Sequence, residues 1–526
     1  MGNEADLKQM SMDGIELEIL WSNLISTVSE QANVLQRIAF SPIVREVGDL
    51  ACAVFDQRGR MMAQARTGTP GHINALAASG AMIIRQFPAA TLSPGDAIIT
   101  NDPWHSAGHL FDITIFSPIY HRDALVGYAG VNIHHTDIGG YGIGAGARDI
   151  HEEGLWIPPL KFFEKGVMNP TLKAIIGRNV RTPDQVFGDL AAQVACNRTC
   201  GDRISALLER HGLADMELLS DEIVRRSEDA TRAAIRKLPA GTWHGETRFN
   251  VPGGEEVTLH AAVTIDNVKG EVLIDFAGTS GKSKAGVNVV LIYTHAYSTF
   301  AIRSCLNPDL PNNFGSLAPI RISPPPGCIL NAQYPSPVSA RHVVGMYVPM
   351  PILKALYHVV PDRVLAECAG AVWSLQIQGE DQKGQLFTSS TIGFSGGMGA
   401  RRTKPGLSAT CYPTGVAATP LESIEASLPM EFIRRELRPG TGGKGHEPGG
   451  DGQVVEFKLY GGKPWLMGIV TSRTNSGAEG LEGGGAGAPG RLTVNGKPVN
   501  SAGKLQMQPD DTVMMETPGG GGYGPA

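Results

Sequence analysis

No run of about 18 apolar residues occurs anywhere in the 526-residue chain, so no membrane-spanning helix is expected. An excess of basic charge is also missing: 45 Lys and Arg stand against 51 Asp and Glu, a formal net charge of −6. That leaves no electrostatic footprint for nucleic acid or an anionic membrane. The first residues carry no basic stretch followed by an apolar core, and Asp6 stands where myristoylation wants Ser or Thr, so neither a secretory signal nor a lipid anchor is expected. Cysteines number only seven, scattered and odd, which suits a reducing cytoplasm better than a disulfide framework. Cys196 and Cys200, four apart on an expected helix, read as buried helix-face thiols before they read as metal ligands.

What the chain has in quantity is glycine, 66 residues of it, which calls for many turns and close backbone approaches. Apolar residues at three- and four-residue spacing predict helices over residues 13–40, 72–87, 171–211, 214–237 and 289–305, with another over 349–358. Alternating or β-branched runs predict strands at Leu50–Phe55, Asp96–Thr100, Ile113–Tyr120, Leu125–Ile133, Val257–Ile265 and Val272–Phe276. The last ninety or so residues interleave glycine runs with short apolar strands such as Val454–Tyr460, which predicts a loop-rich β region and not a disordered tail. The chain therefore reads as α+β and multi-domain, with mixed β-sheets. The segments are an N-terminal α+β domain (1–165), a helical segment (166–240), a central α+β domain (241–435) and a Gly-rich β region (436–526).

Six of the fourteen histidines, His105, His109, His121, His134, His135 and His151, fall within residues 105–151, with Asp102, Asp112, Asp137, Glu152 and Glu153 among them. Imidazole with carboxylate makes a site suited to Zn, Mn or Fe. His109 and Asp112 stand at the mouth of one expected strand, and the His134-His135 pair ends its neighbour. Successive strand side chains point to opposite faces, so one of the two histidines faces the site and the other is left for a supporting role. A divalent ion there would polarise an amide carbonyl or activate a water. His121 and His151 read as structural. Gly393-Phe-Ser395-Gly-Gly397 satisfies the G-x-S-x-G pattern but lacks its strand–helix frame. Gly281-Lys282-Ser283 lacks the first glycine of a P-loop, so the chain shows no ATP site of its own.

Asn101-Asp102-Pro103, Gly108-His109-Leu110 with Asp112, and His134-His135-Thr-Asp137-Ile-Gly-Gly140 together resemble the hydantoinase B/5-oxoprolinase family. So do Arg45-Glu46 with Asp49, Glu153-Gly154 with Ile157-Pro158-Pro159, Asp189-Leu190 with Gln193 and Cys196-Asn197, and the tail Thr517-Pro518-Gly-Gly-Gly-Gly-Tyr523-Gly524. The resemblance implies an ATP-dependent amidohydrolase that opens a cyclic amide. A hydantoinase A-type subunit would bind ATP and Mg and phosphorylate the substrate oxygen, and this chain would finish the reaction within a cytoplasmic hetero-oligomer. It further implies His109, Asp112 and His135 as metal ligands, with Asp137, His134 and Asp49 as catalytic groups and Asp102, Glu46 and Arg45 at the substrate. A subunit of an ATP-dependent ketone carboxylase and a non-catalytic scaffold are the alternatives.

Overall fold

Helix and strand patterning assemble three hydrophobic cores in the computed structural model, which describes residues 14–381, 383–460 and 463–526. The stretch read above for targeting signals lies outside these residues. Seven strands, β1 (Leu50–Phe55), β2 (Met61–Gln64), β3 (Ala97–Thr100), β4 (Asp112–His121), β5 (Ala124–His134), β6 (Leu160–Glu164) and β7 (Val167–Met168), build an antiparallel sheet ordered β2-β1-β5-β4-β3-β6-β7. The strands of residues 90–140, β3, β4 and β5, are consecutive antiparallel neighbours; β1 adds to the far side of β5 and β6 to the far side of β3.

Alternation sends Leu50, Cys52 and Val54 to one face of this sheet and Ala51, Ala53 and Phe55 to the other, and both faces are buried. Helices Gly14–Ile38 and Pro183–His211 cover the first face; helix Pro70–Gln86 covers the second. In the first helix Leu17, Leu20, Leu24, Val28 and Leu35 recur at helical spacing and are fully buried. Each such side chain contributes about 1.5–3 kcal/mol by leaving water. Cys196 and Cys200 fall in this core, as their spacing led one to expect.

The second core lies under a four-stranded sheet made of Gly241–Asn250, Glu256–Asp266, Glu271–Asp275 and Ile320–Ser323. Its second strand buries Val257, Leu259, Ala261, Val263 and Ile265 in strict alternation, the mark of a sheet wet on one side. Helices Leu291–Leu306 and Pro349–Tyr357 close the buried side. The helix Leu291–Leu306 also packs on Pro70–Gln86, where Gly71 and the ring of Tyr293 leave no room for a β-carbon.

In the C-terminal part, a four-stranded sheet that includes Val372–Glu380 and a five-stranded sheet that includes Gly452–Leu459 share the third core. The glycine runs lie outside these strands and bond to each other through their backbones: Gly397 N to Pro518 O (2.9 Å), Gly443 N to Gly520 O (2.8 Å), Gly520 N to Gly450 O (2.9 Å) and Gly522 N to Gly485 O (2.9 Å). Spacing is too tight for any side chain. A β-carbon on Gly397 would sit 1.8 Å from Gly450 O, and one on Gly519 1.9 Å from Thr441 O. Glycine here serves packing of backbone on backbone, with the strands only flanking it.

Candidate metal centre

The centre forms where β4 begins and β5 ends. Asp112, the first residue of β4, pairs directly with His134, the last of β5, so the two side chains leave the sheet on the same face. His109 comes from the turn just before β4. The three side chains are fully or almost fully buried and offer ligand atoms all within 4.8 Å of one another. His109 Nε2 lies 2.8 Å from Asp112 Oδ1, and His134 Nδ1 lies 3.1 Å from the same oxygen.

Of the adjacent histidines, the structure brings His134, and not His135, to His109 and Asp112. The resemblance implied His135 in that place. His135 points to the opposite face, where its Nε2 meets Gln193 Oε1 at 3.1 Å on helix Pro183–His211, and burial lowers its pKa.

Two further residues close around Asp112. His72, on the first turn of helix Pro70–Gln86, reaches Asp112 Oδ2 at 2.8 Å with Nε2 and Asp49 Oδ1 at 3.1 Å with Nδ1. Arg341 donates to Asp112 Oδ2 and to Ala107 O, and its guanidinium lies 3.9 Å over the ring of Tyr293. Burial works to raise the Asp112 carboxyl, yet His72 and Arg341 beside it hold it well below the usual carboxylate range. It is therefore an anion. Burial, reinforced by Arg341, pushes His109 down to about 3, so its imidazole is neutral and its lone pair free.

The tautomer of His109 follows from its other neighbour. Nδ1 lies 2.8 Å from the carbonyl of Ser339, which can only accept, so Nδ1 carries the proton and Nε2 presents a lone pair. The Ser339 peptide is fixed in turn by Glu153, whose Oε1 accepts from Val338 N (2.5 Å) and Ser339 N (2.8 Å).

These atoms fit a divalent cation better than they fit each other. The Nε2 atoms of His109 and His134 are buried and have no hydrogen-bond partner, although His109 Nε2 is 2.8 Å from a carboxylate oxygen. Ligands at about 2.0–2.2 Å from a common ion at near-right angles stand about 3 Å apart, the separation of His109 Nε2 from Asp112 Oδ1, which lacks hydrogen-bond alignment; His134 Nδ1 hydrogen-bonds the same oxygen and leaves its Nε2 free.

A cavity of about 40 Å³ opens on this centre, lined by Asp49, His72, His109, His134, Tyr293 and His342 among others. Burial, with Arg341 and the other histidines, lowers the pKa of His342 well below its usual value, so a neutral imidazole faces the cavity too. Asp49 thus stands at the centre, whereas Asp137, Arg45, Glu46 and Asp102 do not line the cavity. Asp137 accepts hydrogen bonds from the backbone N–H groups of Gly139, Arg181 and Thr182 and from the Arg181 side chain. Arg45 and Glu46 pair with each other at 3.3 Å on the surface. Asp102 caps its own turn at Trp104 N and pairs with His105.

His72, Tyr293, Arg341 and His342 escaped the sequence reading. Arg341-His342 had a signal, being a polar pair inside the apolar run from Val338 to Val344. His72 had none.

Residues 13–526 match the profile of the Hydantoinase B/oxoprolinase family. An uncharacterised protein of Methanocaldococcus jannaschii is 32% identical over 98% of this chain and 91% of its own length. The B-type component of a putative D-/L-hydantoinase from a Pseudomonas species is 29% identical over 99% of this chain and 91% of its own. The 5-oxoprolinase 1 of Arabidopsis thaliana is 29% identical over 97% of this chain, which spans only 42% of that protein. Among solved structures, the ATP-dependent caprolactamase of Pseudomonas jessenii superposes with a TM-score of 0.88 at 22% identity, covering 98% of this chain and 92% of that one. A nucleotide-free acetone carboxylase superposes with 0.86 at 19% identity, covering 97% and 75%. These two establish the shared fold.

Proposed function

The chain belongs to the hydantoinase B/oxoprolinase family, and from that premise we propose that it is the metal-dependent subunit of an ATP-dependent enzyme that opens a cyclic amide. The observation that carries this reading is the buried His109–Asp112–His134 group with its unpartnered nitrogens. Asp49, bridged to Asp112 through His72, stands ready as a further ligand or as the acceptor of a proton.

A Zn, Mn or Fe ion held by His109, Asp112 and His134 supplies Lewis-acid polarisation of the substrate oxygen and activation of water. The protein residues do the rest. Ser339 O holds the proton on His109 Nδ1, so Nε2 stays a donor of electrons. Arg341 keeps Asp112 ionised and fixes its Oδ2. The buried walls exclude bulk water, which strengthens every electrostatic term inside.

An ATP-binding hydantoinase A-type partner completes the reading. Neither a P-loop nor a dinucleotide-type glycine frame occurs in this sequence, and relatives named 5-oxoprolinase are more than twice as long as the region they share with it. The partner would phosphorylate the substrate oxygen, and this chain would complete the hydrolysis of the ring.

Two measurements test the proposal. Metal analysis of the purified chain should find about one divalent ion in the wild type and none in His109→Ala/His134→Ala; a wild type that stays ion-free after loading with Zn, Mn and Fe overturns the centre. Coexpression with an ATP-binding partner should give ATP turnover coupled to opening of hydantoin or 5-oxoproline. Turnover of acetophenone that requires bicarbonate would instead identify a ketone carboxylase.

A further inference from the structure

A second cavity, of about 290 Å³, is lined by residues from two of the helices that also line the metal centre. Its lining includes Gly68, Pro70 and Asn74, which flank Thr69 and His72 of the metal cavity. It also includes Phe300, Arg303 and Ser304, which follow Tyr293 and Tyr297 along the same helix. Six residues of helix separate Tyr297 from Arg303, about 9 Å along the axis. The loop carrying Thr414 and Val416 of the metal cavity reaches the same place, since Tyr412 packs on Phe300 with ring centroids 6.1 Å apart.

Arg303 is the feature that needs explaining. The residue is partly buried, and its guanidinium donates to Asn312 Oδ1 (2.8 Å) and to Leu310 O and has no carboxylate within ion-pair distance among the described residues. Two of its five N–H groups are thereby used, and Nε–H is buried with no partner at all. Tying down the turn after the helix accounts for the two neutral contacts, and the helix C-terminus favours a cation. Neither supplies a counter-charge, and a cation partly withdrawn from water without one is unfavourable. Burial alone lowers its pKa to about 10, with no acid opposing the shift. The surrounding polar groups are donors or neutral. Asn312 joins Arg303 to Gln64 and Asn74 by hydrogen bonds of 2.6 and 2.7 Å, and Ser304 borders the same space.

We propose that this cavity is a small-oxyanion site, built to receive a carboxylate or a phosphate group on the planar fork of Arg303. The missing counter-ion is then the ligand itself. Resting on the amide-opening reading, the site positions the anionic end of a substrate whose reactive carbonyl reaches the metal centre.

Calorimetric titration of the full-length protein with inorganic phosphate and, separately, with acetate tests the site. One or both should bind saturably at one per chain, and the probe that binds tells a phosphoryl from a carboxylate ligand. Arg303→Gln should weaken that binding at least tenfold. Gln64→Glu keeps an acceptor for Asn312 while placing a fixed carboxylate in the cavity, and should weaken it equally. Metal content, measured on the same samples, should not change in either variant. Absence of saturable binding of both anions to the wild type, or wild-type affinity in both variants, overturns the proposal. An ion-free but anion-binding wild type would overturn only the metal centre.

Discussion

Glu153 offers a test of how the centre is supported, because its energetics can be worked out from its surroundings. The side chain is fully buried; one oxygen accepts from Val338 N and Ser339 N, the other has no partner, and no cation lies within ion-pair distance among the described residues. Burial, opposed by the two N–H groups, pushes its pKa from 4.5 up to about 8. The folded chain therefore keeps a proton that the unfolded chain gives up between those two values. Stability is fully present below pH 4.5 and is lost as the pH rises towards 8. At about 1.4 kcal/mol per pH unit, the interval amounts to a ceiling of about 5 kcal/mol. Glu153→Gln is neutral throughout and keeps an oxygen for both N–H groups. Urea unfolding followed by tryptophan fluorescence, with Trp104 and Trp156 close by in the fold, should show wild type and variant nearly equal at pH 5. The variant should pull ahead by several kcal/mol at pH 8. Parallel pH profiles for the two proteins would refute the assignment of an uncompensated buried carboxyl.

The other predictions separate the adjacent histidines and the glycine stack. His134→Ala should abolish metal binding, whereas His135→Ala should retain the ion and lose about 1–3 kcal/mol of stability by stranding Gln193; equal metal content in the two variants would contradict the geometry. Gly519→Ala forces a β-carbon against the Thr441 carbonyl and should lower the melting temperature by several degrees. Gly281→Ala, which meets nothing within 4 Å, should leave it within about a degree.

How far the sequence could be read follows from which interactions are local. Helices such as Gly14–Ile38 and the one-sided strand Glu256–Asp266 were legible because a single buried face imposes a period on their residues. The glycine runs could be recognised as ordered, but their mutual stacking joins residues 397, 443, 450 and 520, and no local pattern encodes such a set. His72 and Arg341 reach Asp112 across 40 and 229 positions of chain. Their partnership with Asp112 was invisible for the same reason, although Arg341-His342 stood out as a polar pair. Asp137 stands beside two histidines and two glycines in the sequence, while its oxygens accept from Gly139 and the Arg181 segment, which no local pattern could reveal.

The choice between His134 and His135 turned on one residue of register. Strands β4 and β5 are joined by the tight turn Arg122-Asp123, both with positive φ, and His121 pairs with Ala124. Counting back from that turn without interruption would set Asp112 opposite Ile133 and put His135 on the same face as Asp112. The ladder instead shifts between Ile119 and Tyr120, where an extra residue enters β5, and from there on Ile119 faces Gly127 and Asp112 faces His134. A single-residue bulge moves every later side chain to the other face. Hydrophobic alternation could not reveal it, because both faces of this sheet are buried and neither declares itself apolar or wet. The bulge lies about eight residues from the metal centre, so the ligand set of the protein depends on a backbone irregularity at the far end of the hairpin. Deleting Val126 would remove the extra residue and leave an uninterrupted ladder in which Ile119 still faces Gly127 and Asp112 still faces His134, so the variant should keep its metal content and His135 its contact with Gln193.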